Sequence, residues 1–230
     1  MDFRIISIGT LAANPLWGER TPVRTGHATT TLVTVGNRRI LIDPGLPAQV
    51  LVARLAERAN LVPDQITDVF LTTYMPDTRR ALTVFEEAAW WISNEEREAV
   101  GVSLARRIKE MMTDDRSEQD DELRKALEMD IAILQRCKPA PDSLAERVDL
   151  FPLPGVTPGL CGLLLEGPRA TVLICGDAVP TVEHLEQGKV LTTAVDVERA
   201  RQSFEEAVEI ADLLVLGRDN VVVNPTRKPF

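Results

Sequence analysis

The stretch DVFLTTYMPDTRRAL, residues 68–82, poses the main question about this chain. It begins as an apolar run typical of a strand, continues into a polar turn and ends as the start of a helix. This is the outline of a metal site, but the positions expected for ligands hold Thr73, Met75 and Thr78. The chain is therefore either an enzyme that lost its metal or a scaffold that binds something else.

The composition limits the class of protein. The chain has 230 residues, 44% of them hydrophobic, and a formal charge of -9. This is enough for one sizeable core, and for one domain or two small ones. No apolar run approaches the roughly 18 residues of a membrane span, and the N-terminal MDFRIISIGT is typical of a first strand rather than a signal peptide. The acidic charge disfavours nucleic acid as a partner, and we expect no membrane partner.

The three cysteines, Cys137, Cys161 and Cys175, are far apart and lack the Cys-x-x-Cys spacing of many metal and redox sites. Reduced thiols without a disulfide framework are typical of the cytoplasm. We therefore expect a cytoplasmic protein.

Strands and helices alternate in the first third of the chain. FRIISIG predicts a strand, and TTTLVTV-GN-RRILID predicts two strands around a tight turn at Gly36 and Asn37. LPAQVLVARLAERA has apolar residues at helical spacing, and VPDQITDVFLTT predicts a turn and another strand. The order β-β-β-α-β indicates mixed α/β layers.

The middle of the chain, about residues 94–136, is highly charged and predicts two long helices. The first has Ser93 or Asn94 as a candidate N-cap, and the second opens in the same way at Ser117. The acidic turn TDDR, residues 113–116, joins them, and the prolines of KPAPDS end the second helix. We expect a helical hairpin inserted between strands.

This hairpin carries an apolar stripe, which exceeds what one face of a domain is expected to cover. We therefore predict a homodimer through the hairpin, although the same helices could be a lid over a cleft or a solvated surface packed by the stripe. The stripe consists of Leu123, Leu127, Ile131 and Leu134.

The last third returns to strands and places polar motifs at strand ends. VDLFPL, CGLLLEG and ATVLICGD predict strands, and DVERARQSFEEAVEIA predicts a helix before a short strand, DLLVLG. Five loop motifs then follow one another along the chain: LIDPG with Asp43, FLTTYMPDT with Asp77, LPGVTPG with Val156, ICGDAV with Asp177 and VLGRDN with Arg218.

The order and spacing of these five motifs resemble those of the metallo-β-lactamase superfamily over nearly the whole chain. The resemblance implies an α/β (α+β) fold, an αβ/βα sandwich of two mixed β-sheets flanked by helices. It also implies a single domain, residues 1–230, in which about residues 94–136 are the inserted hairpin. The family's active site lies in a cleft at one edge of the sandwich, among these loops.

The family's zinc ligands are mostly replaced in this chain. The second loop of the family reads Thr-His-x-His-x-Asp-His, the third contains Pro-Gly-His, the fourth Gly-Asp and the fifth Gly-His. Carried over position by position, the two aspartates are kept and every histidine is gone. The corresponding residues are Thr73, Met75, Asp77, Thr78, Val156, Asp177 and Arg218.

These replacements argue against a zinc cofactor, and we expect none. Zinc sites of this fold depend on imidazole nitrogens, whereas a threonine hydroxyl is a poor ligand and valine cannot bind a metal. Arg218 adds a permanent positive charge where the cation would lie. We therefore expect Arg218 to contact Asp77, Asp177 or both, which would otherwise be either an acid/base pair or a structural ion pair.

The neighbouring residues are expected to complete this arrangement. Met75 and Val156 should fill the space of the lost imidazoles, and Thr73 and Thr78 should bond nearby backbone groups. Asp43 is expected to brace a turn.

Several other side chains are candidates for the cleft. Tyr74, the only tyrosine, could act with Asp77 and Asp177 as a catalytic residue, but packing over the former site is the simpler role. His27 is expected closer to the cleft than His184, and Trp17 lies on a segment that could cover it. Trp90 and Trp91 should point to opposite faces of a strand.

Three functional hypotheses follow. The first is a catalytically degenerate, metal-free protein that binds a small molecule or a protein partner in the former cleft. The alternative is a hydrolase of an ester, lactone or thioester, with one metal held by Asp77 and Asp177 or with metal-free acid/base chemistry. The third is a structural or oligomeric role of the hairpin.

Overall fold

The first sheet is built from the first 139 residues, in strict chain order. The computed structural model describes residues 1–113 and 118–226. Hydrogen-bonded neighbours follow one another from β1 to β6, antiparallel up to β3 and parallel beyond it. Its strands are β1 (Asp2–Ser7), β2 (Thr30–Val35), β3 (Arg38–Ile42), β4 (Asp68–Leu71), β5 (Ala89–Ile92) and β6 (Lys138–Pro139).

The second sheet is built from the rest of the chain and is also mixed. Its strands again pair in chain order, antiparallel except for one parallel pair. They are β7 (Ser143–Ala145), β8 (Val148–Pro152), β9 (Cys161–Glu166), β10 (Thr171–Ile174), β11 (Leu213–Val215) and β12 (Val221–Val223). The parallel pair is β10 with β11.

α-Helices connect three of the four parallel pairs, whereas β4 and β5 are joined by residues 72–88, which contain a short 3-10 helix (Leu82–Val84). Helix α1 (Ala48–Ala59) precedes β4, whereas α2 (Asn94–Thr113) and α3 (Glu118–Arg136) lie between β5 and β6. Helices α4 (Val182–Gln187) and α5 (Val197–Ile210) separate β10 from β11. In the described residues, no helix is long and apolar enough to cross a membrane.

Alternation along the strands produces three apolar layers. Ile40, Ile42 and Phe70 pack between the sheets against Leu163 and other residues of the second sheet. Leu41 points the other way, into a layer shared with α1 and the α2–α3 hairpin. A third layer lies between the second sheet and α5. The result is a sandwich of two sheets with helices outside, as the sequence predicts.

The differences from the predicted elements are small ones. The short strands β6, β7 and β12 and the six-residue α4 were not predicted, because elements of two to six residues carry too few positions for a period. Trp90 and Trp91 do point to opposite faces, with Trp90 buried and Trp91 partly covered. Ser117 and most of the TDDR turn lie outside the described residues.

The apolar stripe of the hairpin is mostly covered by the chain's own core. Leu127 and Leu134 are buried in the layer beside the first sheet, and Ile131 packs against it. Of the four residues, Leu123 alone is largely exposed, at 44%. The stripe therefore needs no second copy of the chain to cover it, and the homodimer stays a prediction without this support.

The start of α2 is fixed against the third loop, residues 153–160. The Ser93 hydroxyl accepts from the backbone N–H of Glu96, so Ser93 is the N-cap, and it donates to the Gly159 carbonyl at 2.5 Å. The buried Glu96 carboxylate accepts from the N–H groups of Tyr74 and Gly159, at 3.0 and 3.1 Å. A Cβ at Gly159 would lie 1.9 Å from the Glu96 nitrogen, so only glycine fits this contact.

We therefore expect Gly159→Ala to lower the free energy of unfolding by about 1–3 kcal/mol, because the clash is with backbone that cannot rotate away. Gly101→Ala, within α2, is the matched control, since the nearest atom to its Cβ is 3.9 Å away. The control should raise stability by about 0.5–1 kcal/mol. Urea denaturation measures both, and equal effects would contradict the contact.

Candidate functional site

Loops from both sheets meet at one edge of the sandwich. The Ala28 N–H donates to the Asp77 carbonyl at 3.0 Å, and the Thr29 N–H donates to the Gly217 carbonyl at 2.8 Å. A Cβ at Gly217 would lie 2.3 Å from the Gly176 carbonyl oxygen. The segments that carry Asp77, Asp177 and Arg218 are therefore in backbone contact.

Arg218 lies between the two aspartates and is 5% exposed. Its Nε donates to Asp177 Oδ1 at 2.7 Å and its Nη2 to Asp177 Oδ2 at 2.6 Å, a bidentate pair. Nη1 donates to Asp77 Oδ2, and Nη2 also donates to Asp77 Oδ1 at 3.2 Å. The contact predicted from the sequence is confirmed, and it involves both carboxylates.

Electrostatics stabilise this arrangement in the charged form. Burial alone would lower the pKa of Arg218, but the charges and hydrogen bonds of Asp177 and Asp77 outweigh it and raise the pKa above its ordinary value. The side chains of Arg218 and Asp177 are 4% and 8% exposed, whereas that of Asp77 is 30% exposed. The bond to Asp177 is therefore the better shielded of the two.

A third carboxylate, Asp43, supports the loop after β4. It is buried, and its two oxygens accept from the N–H and the hydroxyl of Thr72 at 2.8 and 2.7 Å. This confirms the bracing role predicted for Asp43. Burial, opposed by the Thr72 bonds and reinforced by the charge of Asp177, raises the pKa of Asp43 to about 7.

The replaced ligand positions divide into those that pack as expected and those that do not. The Thr78 hydroxyl donates to the carbonyls of Thr73 and Met75, as predicted. Thr73 is buried, but its hydroxyl has no hydrogen-bond partner within the described ranges, so the bond predicted for it is wrong. Met75 is 47% exposed and does not fill the site. Val156 is buried with the layer beside α5.

Tyr74 points away from the site, so its predicted place over the former metal position is wrong. Its hydroxyl donates to the Asp130 carbonyl of α3 at 2.5 Å, and the Arg79 guanidinium lies 4.1 Å from its ring centre. Burial raises the pKa of Tyr74, which makes it a poor acid as well as a distant one. The geometry ties Tyr74 to the hairpin.

Neither histidine bonds to Asp77, Asp177 or Arg218 in the described part of the chain. His27 Nε2 lies 3.1 Å from the Ile8 carbonyl oxygen, and the ring is not among the described cavity linings. His184 is buried, with Nδ1 2.9 Å from the Thr181 hydroxyl. Burial lowers the pKa of His184, partly offset by Glu183 and by Asp177. His184 is therefore the histidine within electrostatic reach of the site.

The residues at this edge do not fit a zinc ion. In residues 1–113 and 118–226, no group of three or more histidine, cysteine, aspartate or glutamate side chains could hold a metal. The two carboxylates kept from the family pattern both accept from Arg218, whose charge lies between them. A divalent cation here would have to displace this buried guanidinium from both carboxylates.

A small cavity of about 160 Å³ remains beside Arg218. It is bordered by the segment after β1, which includes the half-exposed Trp17, and by the segments around Thr181 and Asp219. Sequence reasoning singled out Trp17 and Arg218 here but missed Asn14, Thr181 and Asp219. The NPLWG motif indicates a turn at Asn14, but no local signal indicates that this turn reaches Arg218.

A larger cavity of about 880 Å³ lies elsewhere, bordered by the start of α2, the third loop and the start of α5. None of the seven carried-over positions is among its described lining residues. The larger cavity is therefore separate from the site around Arg218.

Comparison with solved structures identifies the fold. A Thermotoga maritima structure assigned to the metallo-β-lactamases has a TM-score of 0.67 and 20% identity, over 96% of this chain and 98% of that one. AidC, a dizinc quorum-quenching lactonase, has a TM-score of 0.62 and 19% identity, over 79% of this chain and 67% of that one. Bacillus thuringiensis AiiA, with N-decanoyl-L-homoserine at its active site, has a TM-score of 0.60 and 18% identity, over 90% and 86%.

Comparisons of the sequence do not identify a family. No protein-family model and no curated protein matches the chain. The structural likeness, at 20% identity or less for these three, shows the metallo-β-lactamase fold.

We expect Arg218→Met to lower the free energy of unfolding by about 3–5 kcal/mol at neutral pH, because it leaves two carboxylates without their cation. Arg201→Met is the control, because the Arg201–Glu198 pair is exposed; it should change stability by less than about 0.5 kcal/mol. Similar losses in both variants would contradict the central role of Arg218.

The raised pKa of Asp43 leads us to expect a specific pH dependence of the free energy of unfolding. Its pKa is 3.8 ordinarily and about 7 in the folded chain, so the folded state retains a proton that the unfolded state releases. This group therefore lowers stability as pH rises from about 4 to about 7. Asp43→Asn resembles the protonated acid in shape, and its stability should fall less over that window. Parallel pH profiles of the two proteins would exclude this linkage.

Proposed function

We propose that this chain is a metal-free protein of the metallo-β-lactamase fold that binds a small molecule in the former active-site cleft without hydrolysing it. One observation carries the proposal, the buried Arg218 guanidinium that bonds both Asp77 and Asp177. Hydrolases of this fold use zinc to generate a hydroxide nucleophile near neutral pH. Here the positive charge between the two carboxylates belongs to the Arg218 guanidinium, which cannot bind and activate a water molecule as zinc does.

The hydrolase alternative has little support from the geometry. A metal held by Asp77 and Asp177 would compete with four hydrogen bonds from Arg218. Acid/base chemistry would need a carboxylate free to contact a substrate, whereas Asp77 and Asp177 both accept hydrogen bonds from Arg218. Tyr74, the remaining candidate, bonds to α3.

A small molecule fits the remaining cleft better than a protein partner does. The cavity beside Arg218 is about 160 Å³ and is lined by side chains from both halves of the chain. Trp17, 54% exposed, lies at its border and offers an aromatic surface to an entering ligand. The lactonase AiiA of this fold binds an acyl homoserine at its active site, which supports the use of the same edge for binding here.

The test is zinc content and hydrolysis, measured on protein purified without chelators or a metal-affinity tag. We expect substoichiometric zinc, iron and manganese, and no turnover of ester, lactone, thioester or lactam substrates with or without added metal. Stoichiometric metal together with turnover would overturn the proposal.

Restoring histidine at one position should not recover zinc binding. Arg218→His leaves Thr73, Met75, Thr78 and Val156 in place, so the imidazoles of a dinuclear site are still missing. The control replaces all five positions with histidine and should take up zinc if it folds, as judged by circular dichroism. Tight zinc binding by Arg218→His alone would contradict the loss of the site.

A further inference from the structure

A further cavity, of about 390 Å³, lies apart from the site around Arg218. It is bordered by the segment around Leu16, by α4 and the residues that follow it, and by the start of α5. It shares no described lining residue with the cavity beside Arg218, and none of the seven carried-over positions is among its described lining residues. Its ligand is therefore independent of the proposed function.

The charged side chains on its border are all cationic or able to become so. They are Lys189, Arg201 and His184, and no aspartate or glutamate is among the described lining residues. Arg201 pairs with the exposed Glu198, whereas the Lys189 ammonium bonds to the neutral amide of Gln187 at 2.9 Å and forms no ion pair in the described part of the chain. In a chain of net charge -9, this concentration of positive charge favours an anionic ligand.

The rest of the border is mainly apolar. It includes Pro15, Leu16, Val190, Leu191 and Val197. An apolar cavity of about 150 Å³ holds benzene with its six heavy atoms, so the same ratio gives room for roughly 15 heavy atoms here. The ligand therefore combines one anionic group with an apolar body of this size or less.

The hydrogen bonds around His184 fix which ring nitrogen carries the proton. The Thr181 hydroxyl has a single hydrogen and donates it to Glu183 Oε2 at 2.7 Å. His184 Nδ1 lies 2.9 Å from the same hydroxyl oxygen, so Nδ1 is the donor of this bond. In the neutral ring, Nε2 therefore carries the lone pair.

The Nε2 end of this ring is open to the cavity. Nε2 has no hydrogen-bond partner in residues 1–113 and 118–226, yet it is not one of the fully enclosed polar atoms there that lack a partner. The cavity is the space that His184 borders. Burial is the main cause that lowers the pKa of His184, and the charge of Lys189 also lowers it, so the ammonium acts on the same ring.

We propose that this cavity binds a small apolar carboxylate, whose head lies at Lys189 and His184 Nε2 and whose hydrocarbon body packs on the apolar wall. The carboxylate accepts from the Lys189 ammonium, and from Nε2 when that nitrogen takes up a proton from the solvent. A carboxylate fits better than a phosphate monoester, because the one bordering cation without an ion pair balances a single negative charge.

The probe for the experiment is 2-naphthoate, an aromatic carboxylate small enough for the cavity. 2-Naphthalenemethanol and 2-naphthylmethylammonium keep the ring system and carry no charge and a positive charge. Titration of the full chain, followed by ligand-observed NMR, should show saturable binding of 2-naphthoate. The alcohol should bind about fivefold more weakly, the ratio that one ion pair at a partly exposed site supplies, and the ammonium more weakly still.

Variants locate the bound probe. Lys189→Met keeps the apolar stem and removes the ammonium, so it should weaken the binding of 2-naphthoate about fivefold and leave that of the alcohol unchanged. Lys189→Gln serves as a second variant if the first aggregates. Lys109→Met is the control, because it removes the same charge from an exposed position of α2 that is not among the described lining residues.

Binding should also take up a proton. Burial keeps His184 neutral near pH 7, whereas a carboxylate beside Nε2 favours the charged ring. The affinity for 2-naphthoate should therefore rise severalfold as pH falls from about 8 to about 6. The other charged groups that act on the ring are Glu183, Asp177 and Lys189, and they keep their charges over this range.

His184→Asn tests the source of this pH dependence. Its amide N–H can still donate to Thr181, but it lacks Nε2, so the pH dependence should disappear. Titration of Asp43 occurs in both proteins and cancels in the comparison. If this variant does not fold, calorimetry in buffers of different ionisation enthalpy measures the proton uptake of the unmodified chain directly.

The outcomes separate this inference from the proposed function. The carboxylate site would be overturned by a lack of saturable 2-naphthoate binding, by equal or tighter binding of the alcohol, the ammonium or 2-naphthyl phosphate, or by equal effects of Lys189→Met and Lys109→Met. An unchanged pH dependence in His184→Asn, or binding without proton uptake, would overturn the assignment of His184. Metal-dependent hydrolysis, measured separately, would overturn the proposed function alone.

Discussion

A buried guanidinium requires its charge to be balanced where it lies, and for Arg218 the balance comes from two carboxylates on different loops. Asp177 follows β10 and lies 41 positions away, whereas Asp77 follows β4 and lies 141 positions away. The same side chain therefore joins the second sheet to the first. The close backbone contact between Gly217 and Gly176 brings Arg218 next to Asp177.

The edge of the sandwich where Asp77 and Asp177 meet is organised around a side-chain cation. A dizinc lactonase such as AidC shares the fold at 19% identity, yet here a single side-chain cation lies between the retained carboxylates. A guanidinium has fixed charge, fixed geometry and no exchangeable ligand position. A shared fold therefore does not imply that this chain has the activity of its relatives, and function has to be argued from the site itself.

The sequence predicts the features that depend on hydrophobic periodicity and on charge. It does not predict the direction in which a side chain in an irregular loop points. Strand alternation and the inserted helices were predicted, as was the Arg218 contact, because a cation near two carboxylates has few other stable arrangements. Tyr74 and Met75 were misplaced because neighbours in one loop point to different sides, and no period exists there to say which. Asn14 was missed because its place beside Arg218 depends on folding of distant segments.

The strand order has a consequence for synthesis on the ribosome. All strands of the first sheet precede residue 140, and all described strands of the second follow residue 142. The first sheet and its helices are thus translated before their partner, and its inner face, with Ile40, Ile42 and Phe70, has nothing to cover it until the second sheet emerges. During that interval the nascent chain presents an apolar surface to other proteins, so its biogenesis is the stage most exposed to aggregation and to chaperone capture.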